Sequence, residues 1–161
     1  MPVLITVFLC GDVMLGRGVD QILPHPGNPQ LHEIYVKSAV TYVQLAERET
    51  GDFDTPVSFE YVWGDALELL ETAQPDLRLI NLETSVTASD RFWPGKGIHY
   101  RMHPDNVGVI TAADIDGCII ANNHVLDLGY EGLKETVQTL KHADVQAIGA
   151  GDNIEQASAP A

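Results

Sequence analysis

The chain has 161 residues, of which 45% are hydrophobic and 20% are charged, and this composition is typical of one folded globular domain. Its 9 basic and 23 acidic residues give a net charge of −14, which argues against a nucleic-acid-binding protein because phosphate neutralisation needs clustered Lys and Arg. No apolar run reaches the roughly 18 residues of a membrane span, and the apolar N-terminal stretch lacks the basic start and the cleavage site of a signal peptide. The location stays open, in solution or at a membrane through partners.

Four apolar runs predict β-strands at residues 3–10, 77–82, 116–121 and 145–149. The third run is mostly apolar and the first has a continuous apolar core, which is typical of parallel strands that are covered on both faces. We therefore expect the first and third strands to lie at the centre of the sheet.

Two helices are predicted between the first and second strands. Asn28 as N-cap and Pro29 as first helical residue predict the start of a long helix that ends at Gly51. Asp65 and Glu68 have the spacing of a capping box at the start of the next helix.

Two more helices are predicted on either side of the third strand. Residues 103–114 read as a short helix, and Leu133, Val137 and Leu140 form one apolar stripe on a helix of about three turns. The alternation of strands and helices indicates an α/β domain with a largely parallel sheet flanked by helices.

Polar side chains follow the first three strands, at the sheet edge where α/β proteins bind their ligands. Asp12, Glu83 and Asn123 offer oxygen atoms of the kind that Mg²⁺ or Mn²⁺ prefers, and Fe or Zn would fit if histidines joined them. Asn81 and Asn122 are expected to support these ligands. Each motif alone has an ordinary interpretation as a turn, a helix cap or a solvated strand end, and only their coincidence on one edge predicts a site.

His124 is interpreted as a catalytic residue and not as a metal ligand. Asp127, three residues further on, is placed either to hold the imidazole in one tautomer or to cap the following helix. A protonated imidazole would stabilise the charge of phosphoryl transfer or protonate the leaving oxygen. We expect one ring nitrogen bonded to Asp127 and the other free, at the mouth of a cavity lined by Asp12, Glu83 and Asn123.

Two arginines are candidates for binding an anionic substrate. Arg17 follows the first strand and Arg101 lies near another strand-like stretch, and either guanidinium could hold a carboxylate or phosphate through two hydrogen bonds. The alternatives are a salt bridge or a place in a solvated loop. His99 and His103, which flank Arg101, are interpreted as packing or surface histidines.

Four blocks of sequence, in order along the chain, resemble the CapA-type capsule-synthesis proteins: GDVMLGR (11–17), INLETSVT (80–87), ANNHVLDLG (121–129) and AIGAGDN (147–153). That family is linked to poly-γ-glutamate production and resembles the calcineurin-like metallophosphoesterases in fold. The resemblance implies a metallophosphoesterase-like sheet and a divalent-metal cofactor of two ions, drawn from Mn, Fe, Zn or Mg. It also implies an anionic polymer or phosphoester as substrate and membrane synthase subunits as partners.

ANNHVLDLG also resembles the block of nucleotidases in which Asn binds metal and His is catalytic. By that resemblance Asn123 is a metal ligand and His124 is catalytic, Asp12 matches the first metal-binding aspartate, and Glu83 matches the bridging carboxylate. Met14 departs from the pattern, because metallophosphoesterases usually have a histidine at that position.

Two functions stay open at this point. One is a metal-dependent hydrolase or transferase in capsule formation, and the other is a non-catalytic subunit that binds the polymer or a membrane synthase. Because the later histidine-bearing segments of the family are absent, residues 1–161 are expected to be the N-terminal portion of a larger domain. On its own this portion should be catalytically silent, bind metal weakly and self-associate through an uncovered part of the sheet.

Overall fold

The structure is a computed structural model that describes residues 3–160. Four parallel strands form its main sheet, in the order β1-β2-β5-β6, and β3 and β4 pair in parallel as a small second sheet. The strands are β1 (Val7–Val13), β2 (Leu77–Leu82), β3 (Ser85–Val86), β4 (Arg101–Met102), β5 (Gly117–Ile119) and β6 (Gln146–Ile148). The α/β class and the parallel sheet expected from the sequence are confirmed.

The described part of the chain also contains six α-helices and two 3₁₀ turns, and all except the last helix lie between strands. The helices are α1 (Gly18–Ile22), α2 (Val40–Thr50), α3 (Ala66–Ala73), α4 (Gly108–Thr111), α5 (Gly129–His142) and α6 (Ile154–Ala157), and the 3₁₀ turns are Phe59–Val62 and Pro104–Asn106. The expected apolar stripe lies on α5, where Leu140 is fully buried. The short helix expected before the third predicted strand consists of the 3₁₀ turn Pro104–Asn106 followed by α4. Between residues 3 and 160 no helix is long and apolar enough to cross a bilayer.

The core lies against the two central strands, β2 and β5. Ile80 of β2 and Cys118 of β5 are fully buried, and Ile120 directly after β5 is 1% exposed. Apolar side chains of the helices, including those of α4 and α5, belong to the same hydrophobic cluster. The expectation of a central position for the third predicted strand is therefore confirmed.

The first strand lies at an edge of the described sheet, so the expectation that it would be central is wrong. Val7 and Leu9 remain 43% and 69% exposed, and exposed and partly buried residues alternate from Val7 to Gly11. A continuous apolar run predicts a strand, but it does not state whether a neighbour covers each face. The sequence pattern could not distinguish a covered strand from this partly open one.

The expectation of a long helix that begins at Asn28 is also wrong for the first half of that helix. Asn28 Oδ1 accepts a hydrogen bond from Gln30 N–H at 3.1 Å, so it closes a local turn instead of capping a helix. Gln30 then forms an isolated antiparallel bridge with Ser38, and helix α2 starts only at Val40. Its end is as expected, because Gly51 adopts φ 85° and donates its N–H to the Glu47 carbonyl.

Helix α3 begins after Asp65, as expected, but the capping box does not form. Asp65 has αR backbone angles and its side chain makes no capping hydrogen bond. The helix ends at Gln74, which adopts a left-handed conformation before Pro75.

Candidate functional site

A chain of amide hydrogen bonds joins the ends of the first two strands of the main sheet to the loop after β5. Asn81 Nδ2 donates to Asp12 Oδ1 at 2.6 Å. Asn122 Nδ2 donates to Asn81 Oδ1 at 3.1 Å and to the Leu82 carbonyl at 2.9 Å. A bulge between Cys10 and Asp12 sets Asp12 opposite Asn81 in the parallel register, which allows the first of these bonds. We call these three side chains, of Asp12, Asn81 and Asn122, the amide chain.

His124 and Asp127 form the hydrogen-bonded pair that was expected. His124 Nδ1 lies 2.7 Å from Asp127 Oδ2, and because a carboxylate can only accept, Nδ1 carries the proton. The second ring nitrogen, Nε2, forms no hydrogen bond within the described residues, as expected, and it lies 3.6 Å from Glu83 Oε1. The side chain of His124 is 6% exposed, so the imidazole is enclosed between two carboxylates instead of standing at an open mouth.

Asp127 is fully buried and accepts three hydrogen bonds from side chains and backbone. Besides His124, the Tyr100 N–H donates to Oδ2 at 2.6 Å and Lys96 Nζ donates to Oδ1. Leu128, not Asp127, occupies the N-cap position of α5, so the alternative role of Asp127 as a helix cap is not formed. The carboxylate serves to hold His124.

Two residues in this environment, Lys96 and Tyr100, were not identified from the sequence. Lys96 Nζ also donates to the carbonyl of Asn123, and the ring of Tyr100 stacks on the imidazole of His124 with centroids 4.0 Å apart and planes 20° apart. The local signal was a lysine between Gly95 and Gly97 in a strongly acidic chain. Nothing in the sequence connects that signal to a loop about 30 residues away.

Arg17 lies close to the pair of His124 and Asp127, which we call the dyad. Its guanidinium is already bonded to other residues of the protein. Its guanidinium pairs with Glu33 and lies over the rings of Tyr42 and Tyr100, at 5.2 and 4.8 Å from their centroids. Arg17 is therefore linked to His124 through the Tyr100 ring, and the salt bridge considered from the sequence is present.

The side chain of Arg101 donates its hydrogen bonds to Ser89, Asp90 and Asn28. Nη1 donates to the Ser89 carbonyl at 2.8 Å and to Asp90 Oδ1 at 2.6 Å, and Nη2 donates to the Asn28 carbonyl at 2.8 Å. Its side chain is 9% exposed. These contacts fix the turn at Asn28. The role of Arg101 in substrate binding stays a prediction.

The three expected metal ligands each have a different nearest contact in the structure, and their role as ligands stays a prediction. Asp12 belongs to the amide chain, Glu83 faces His124, and Asn123 is exposed with its carbonyl bonded to Lys96. Two hydrolytic ions need several anionic or imidazole ligands. Within residues 3–160 no group of three or more His, Cys, Asp or Glu side chains is arranged to hold a metal ion. By themselves these residues supply too few ligands to complete a two-ion centre.

Two titratable side chains near or within the core have displaced pKa values. Burial lowers the pKa of His99, whose Nε2 lies 3.2 Å from the Trp93 carbonyl and whose ring packs edge-on against Phe92 at 5.0 Å. This is the packing role expected for His99. Burial also raises the pKa of the free thiol of Cys118 to about 12, so this thiol stays protonated.

The fold and the site define an α/β protein in which a buried histidine–aspartate dyad and a chain of amides lie at the carboxyl ends of parallel strands. Residues 6–161 match the family model of the bacterial capsule synthesis protein PGA_cap, and the chain belongs to this family. The family has the metallophosphoesterase-like fold, as the sequence blocks had implied.

Proteins similar to this chain have names that refer to polymer synthesis. A probable polyglutamine synthesis accessory protein of Mycobacterium tuberculosis is 54% identical over 153 residues, which cover 95% of this chain. The capsule biosynthesis protein CapA of Bacillus anthracis is 24% identical over 94% of this chain, and the PGA biosynthesis protein CapA of Bacillus subtilis is 22% identical over 91% of it. The chain spans 40% of the length of the Mycobacterium protein and 29% and 30% of the two Bacillus proteins.

Proposed function

We propose that the protein serves in the synthesis of an anionic capsule polymer of the poly-γ-glutamate type, and that His124 transfers a proton there. One observation carries the proposal: His124 is buried between Asp127, which fixes its tautomer, and Glu83, which faces its second nitrogen. A histidine that merely fills the core has no need of a buried carboxylate on one side and a partly exposed one on the other. Family membership and the names of the relatives support the biological setting.

The geometry supports acid–base chemistry on a phosphoester or a related anionic substrate. With Nδ1–H donated to Asp127, only Nε2 is available to exchange a proton with a substrate. The side chain of Glu83 is 21% exposed, so solvent or substrate can reach the region between Glu83 and His124. In the proposed step, Glu83 takes a proton from the attacking hydroxyl or water. Nε2–H of the imidazolium gives its proton to the leaving oxygen as the ester bond breaks.

A divalent ion enters this proposal only at the level of ligands. Asp12, Glu83 and Asn123 are the oxygen donors that this chain would contribute, and further ligands would be needed. The chemistry such an ion supplies when bound is the polarisation of a phosphoryl oxygen.

A non-catalytic role in the same process is the second candidate. Met14 stands where the resemblance to metallophosphoesterases calls for a histidine, and the described residues do not form a metal cluster. The net charge of −14 opposes direct binding of a polyanion. In this role, therefore, the protein would hold a synthase subunit and not the polymer itself.

Replacing His124 with alanine in the full-length protein separates the two functions. A catalytic His124 predicts a loss of polymer production of about 100-fold or more, since a positioned acid or base typically contributes that much. His142→Ala is the matched control, because His142 is exposed at the end of α5 and should be neutral. A folded His124→Ala protein that makes wild-type amounts of polymer would contradict catalysis and favour the non-catalytic role.

A further inference from the structure

The segment of residues 96–100 holds the dyad from several directions. Its first residue, Lys96, donates to the carboxylate of Asp127 and to the carbonyl of Asn123. Its last residue, Tyr100, donates its backbone N–H to the other oxygen of Asp127 at 2.6 Å and stacks its ring on His124. We call this stretch the 96–100 segment.

The ammonium group of Lys96 is directed at one carboxylate, that of Asp127. Lys96 carries the only lysine or arginine charge that lies within 4 Å of Asp127 in residues 3–160, and that carboxylate has no exposed surface. The lysine side chain itself is 26% exposed, so its stem lies across the surface while its ammonium points inward. A buried carboxylate needs charged or hydrogen-bonding partners, and Lys96 supplies the strongest of them.

The second contact of Lys96 acts on the backbone of the loop. Asn123 immediately precedes His124, and its carbonyl is bonded by the same ammonium that holds Asp127. Lys96 therefore ties together the backbone on one side of the imidazole and the carboxylate on the other. Because two points are fixed at once, the ring has little freedom to rotate away from Glu83.

We propose that Lys96 is a positioning residue for His124, acting through Asp127 and the Asn123 carbonyl. The inference deepens the proposed function, since it assigns the residue that holds the carboxylate bonded to Nδ1 and keeps Nε2 directed at Glu83. Tyr100 completes the arrangement by covering one face of the ring. The 96–100 segment is thus part of the site although it lies in a connection between β3 and β4.

Nitrogen-15 NMR of the histidine rings tests this assignment independently of activity. The full-length protein is labelled with ¹⁵N-histidine, and the ring signals of His124, assigned by their loss in His124→Ala, are compared in Lys96→Met and Lys134→Met. Lys134 pairs with Asp152 at 3.7 Å and is 63% exposed, so the control removes the same charge away from the dyad. At a pH at which the ring is neutral, we expect a single Nδ1–H tautomer in the wild type and in Lys134→Met, and a mixture of tautomers in Lys96→Met.

Further variants cover the case in which Lys96→Met does not fold. Lys96→Gln keeps a donor near Asp127 without the charge, and Lys96→Arg keeps both charge and donors. Restoration of the Nδ1–H form in Lys96→Arg, with a shifted form in the folded Met or Gln variant, supports the proposal. Wild-type ring signals in a folded Met or Gln variant overturn it.

Polymer production in the same variants separates this inference from the proposed function. If both are right, Lys96→Met lowers production about tenfold or more while Lys134→Met does not, because a displaced catalytic group loses much of its effect. If His124→Ala leaves production unchanged but Lys96→Met still changes the ring signals, the positioning role stands and the catalytic proposal fails. If His124→Ala abolishes production but the ring signals of His124 are the same in Lys96→Met as in the wild type, only the positioning role is wrong.

Discussion

The two hydrogen-bonded sets at the strand ends differ in burial and in charge. The amide chain begins at Asp12, which is exposed, and runs through neutral amide groups. The dyad consists of His124 and Asp127, and the fully buried carboxylate of Asp127 is paired with Lys96 while His124 faces Glu83. Buried charged networks have large energetic consequences when a member is lost, whereas exposed amide contacts have small ones. The comparison indicates that the stability of the protein is more sensitive to the loss of a dyad residue than to the loss of a residue of the amide chain.

Removing the charge of Asp127 should have the largest effect on stability. Asp127→Asn leaves Lys96 without its carboxylate and sets an NH₂ group against other donors, so we expect a loss of about 3 kcal/mol in the free energy of unfolding. Urea denaturation measures it. Asp152→Asn, at an exposed pair with Lys134, is the control and should change stability by less than about 0.5 kcal/mol. Equal effects of the two substitutions would remove the energetic distinction of the dyad.

Breaking the amide chain should have a smaller effect. Asn81→Ala deletes the link between Asp12 and Asn122, and a partly exposed hydrogen-bonded amide contributes about 1 kcal/mol. Asn123→Ala removes an amide that is exposed, so it should change stability by less than about 0.5 kcal/mol in the absence of metal. Both are measured by the same denaturation. A cost for Asn81→Ala as large as that of Asp127→Asn would contradict the comparison.

The pH dependence of stability should reveal the buried His99 next to the dyad. Because burial lowers its pKa below the ordinary value of 6.5, the unfolded chain binds a proton that the folded chain does not as pH falls below 6.5. Stability is therefore present above that pH and is lost as pH falls toward the folded-state pKa. His99→Gln keeps a donor for the Trp93 carbonyl, so we expect a smaller difference in Tm between about pH 7.5 and about pH 5.5. His142→Gln, at an exposed position, should leave the difference unchanged, and an unchanged difference in His99→Gln too would refute the assignment.

The open edge of β1 should affect association and not stability. Leu9→Lys puts a charge on an apolar edge strand, and we expect less self-association in sedimentation velocity with a change of less than about 0.5 kcal/mol in unfolding free energy. Leu69→Lys is the matched control, since Leu69 in α3 is 70% exposed against 69% for Leu9. If both substitutions alter association equally, the β1 edge is not the surface involved.

Local sequence patterns predicted most of the fold and the centre of the site. The strand runs, the apolar stripe of α5 and the spacing of His124 and Asp127 all involve residues a few positions apart, where pattern and contact coincide. The shared edge of the strand ends followed from the parallel sheet alone.

What the sequence could not predict depends on contacts between distant segments. Lys96 meets Asp127 across 31 positions, and Tyr100 meets it across 27. Asn28 looked like a helix cap, but its carbonyl is held by Arg101, 73 positions away, and its side chain closes a turn. In each case a tertiary contact determined the local outcome, and one sequence read from neighbour to neighbour carries no record of it.

The long connection that carries the 96–100 segment has a consequence for the order of folding. His124 and Asp127 are neighbours in sequence and can meet as soon as their loop forms, at small entropic cost. Lys96 and Tyr100 lie in the chain between β3 and β4, whose ends are joined by the parallel pairing of Ser85 with Arg101. Non-local parallel pairing is slow compared with local turns. We therefore expect a refolding chain to form the contact between His124 and Asp127 before Lys96 and Tyr100 reach it, so that the imidazole is fixed in place late in folding.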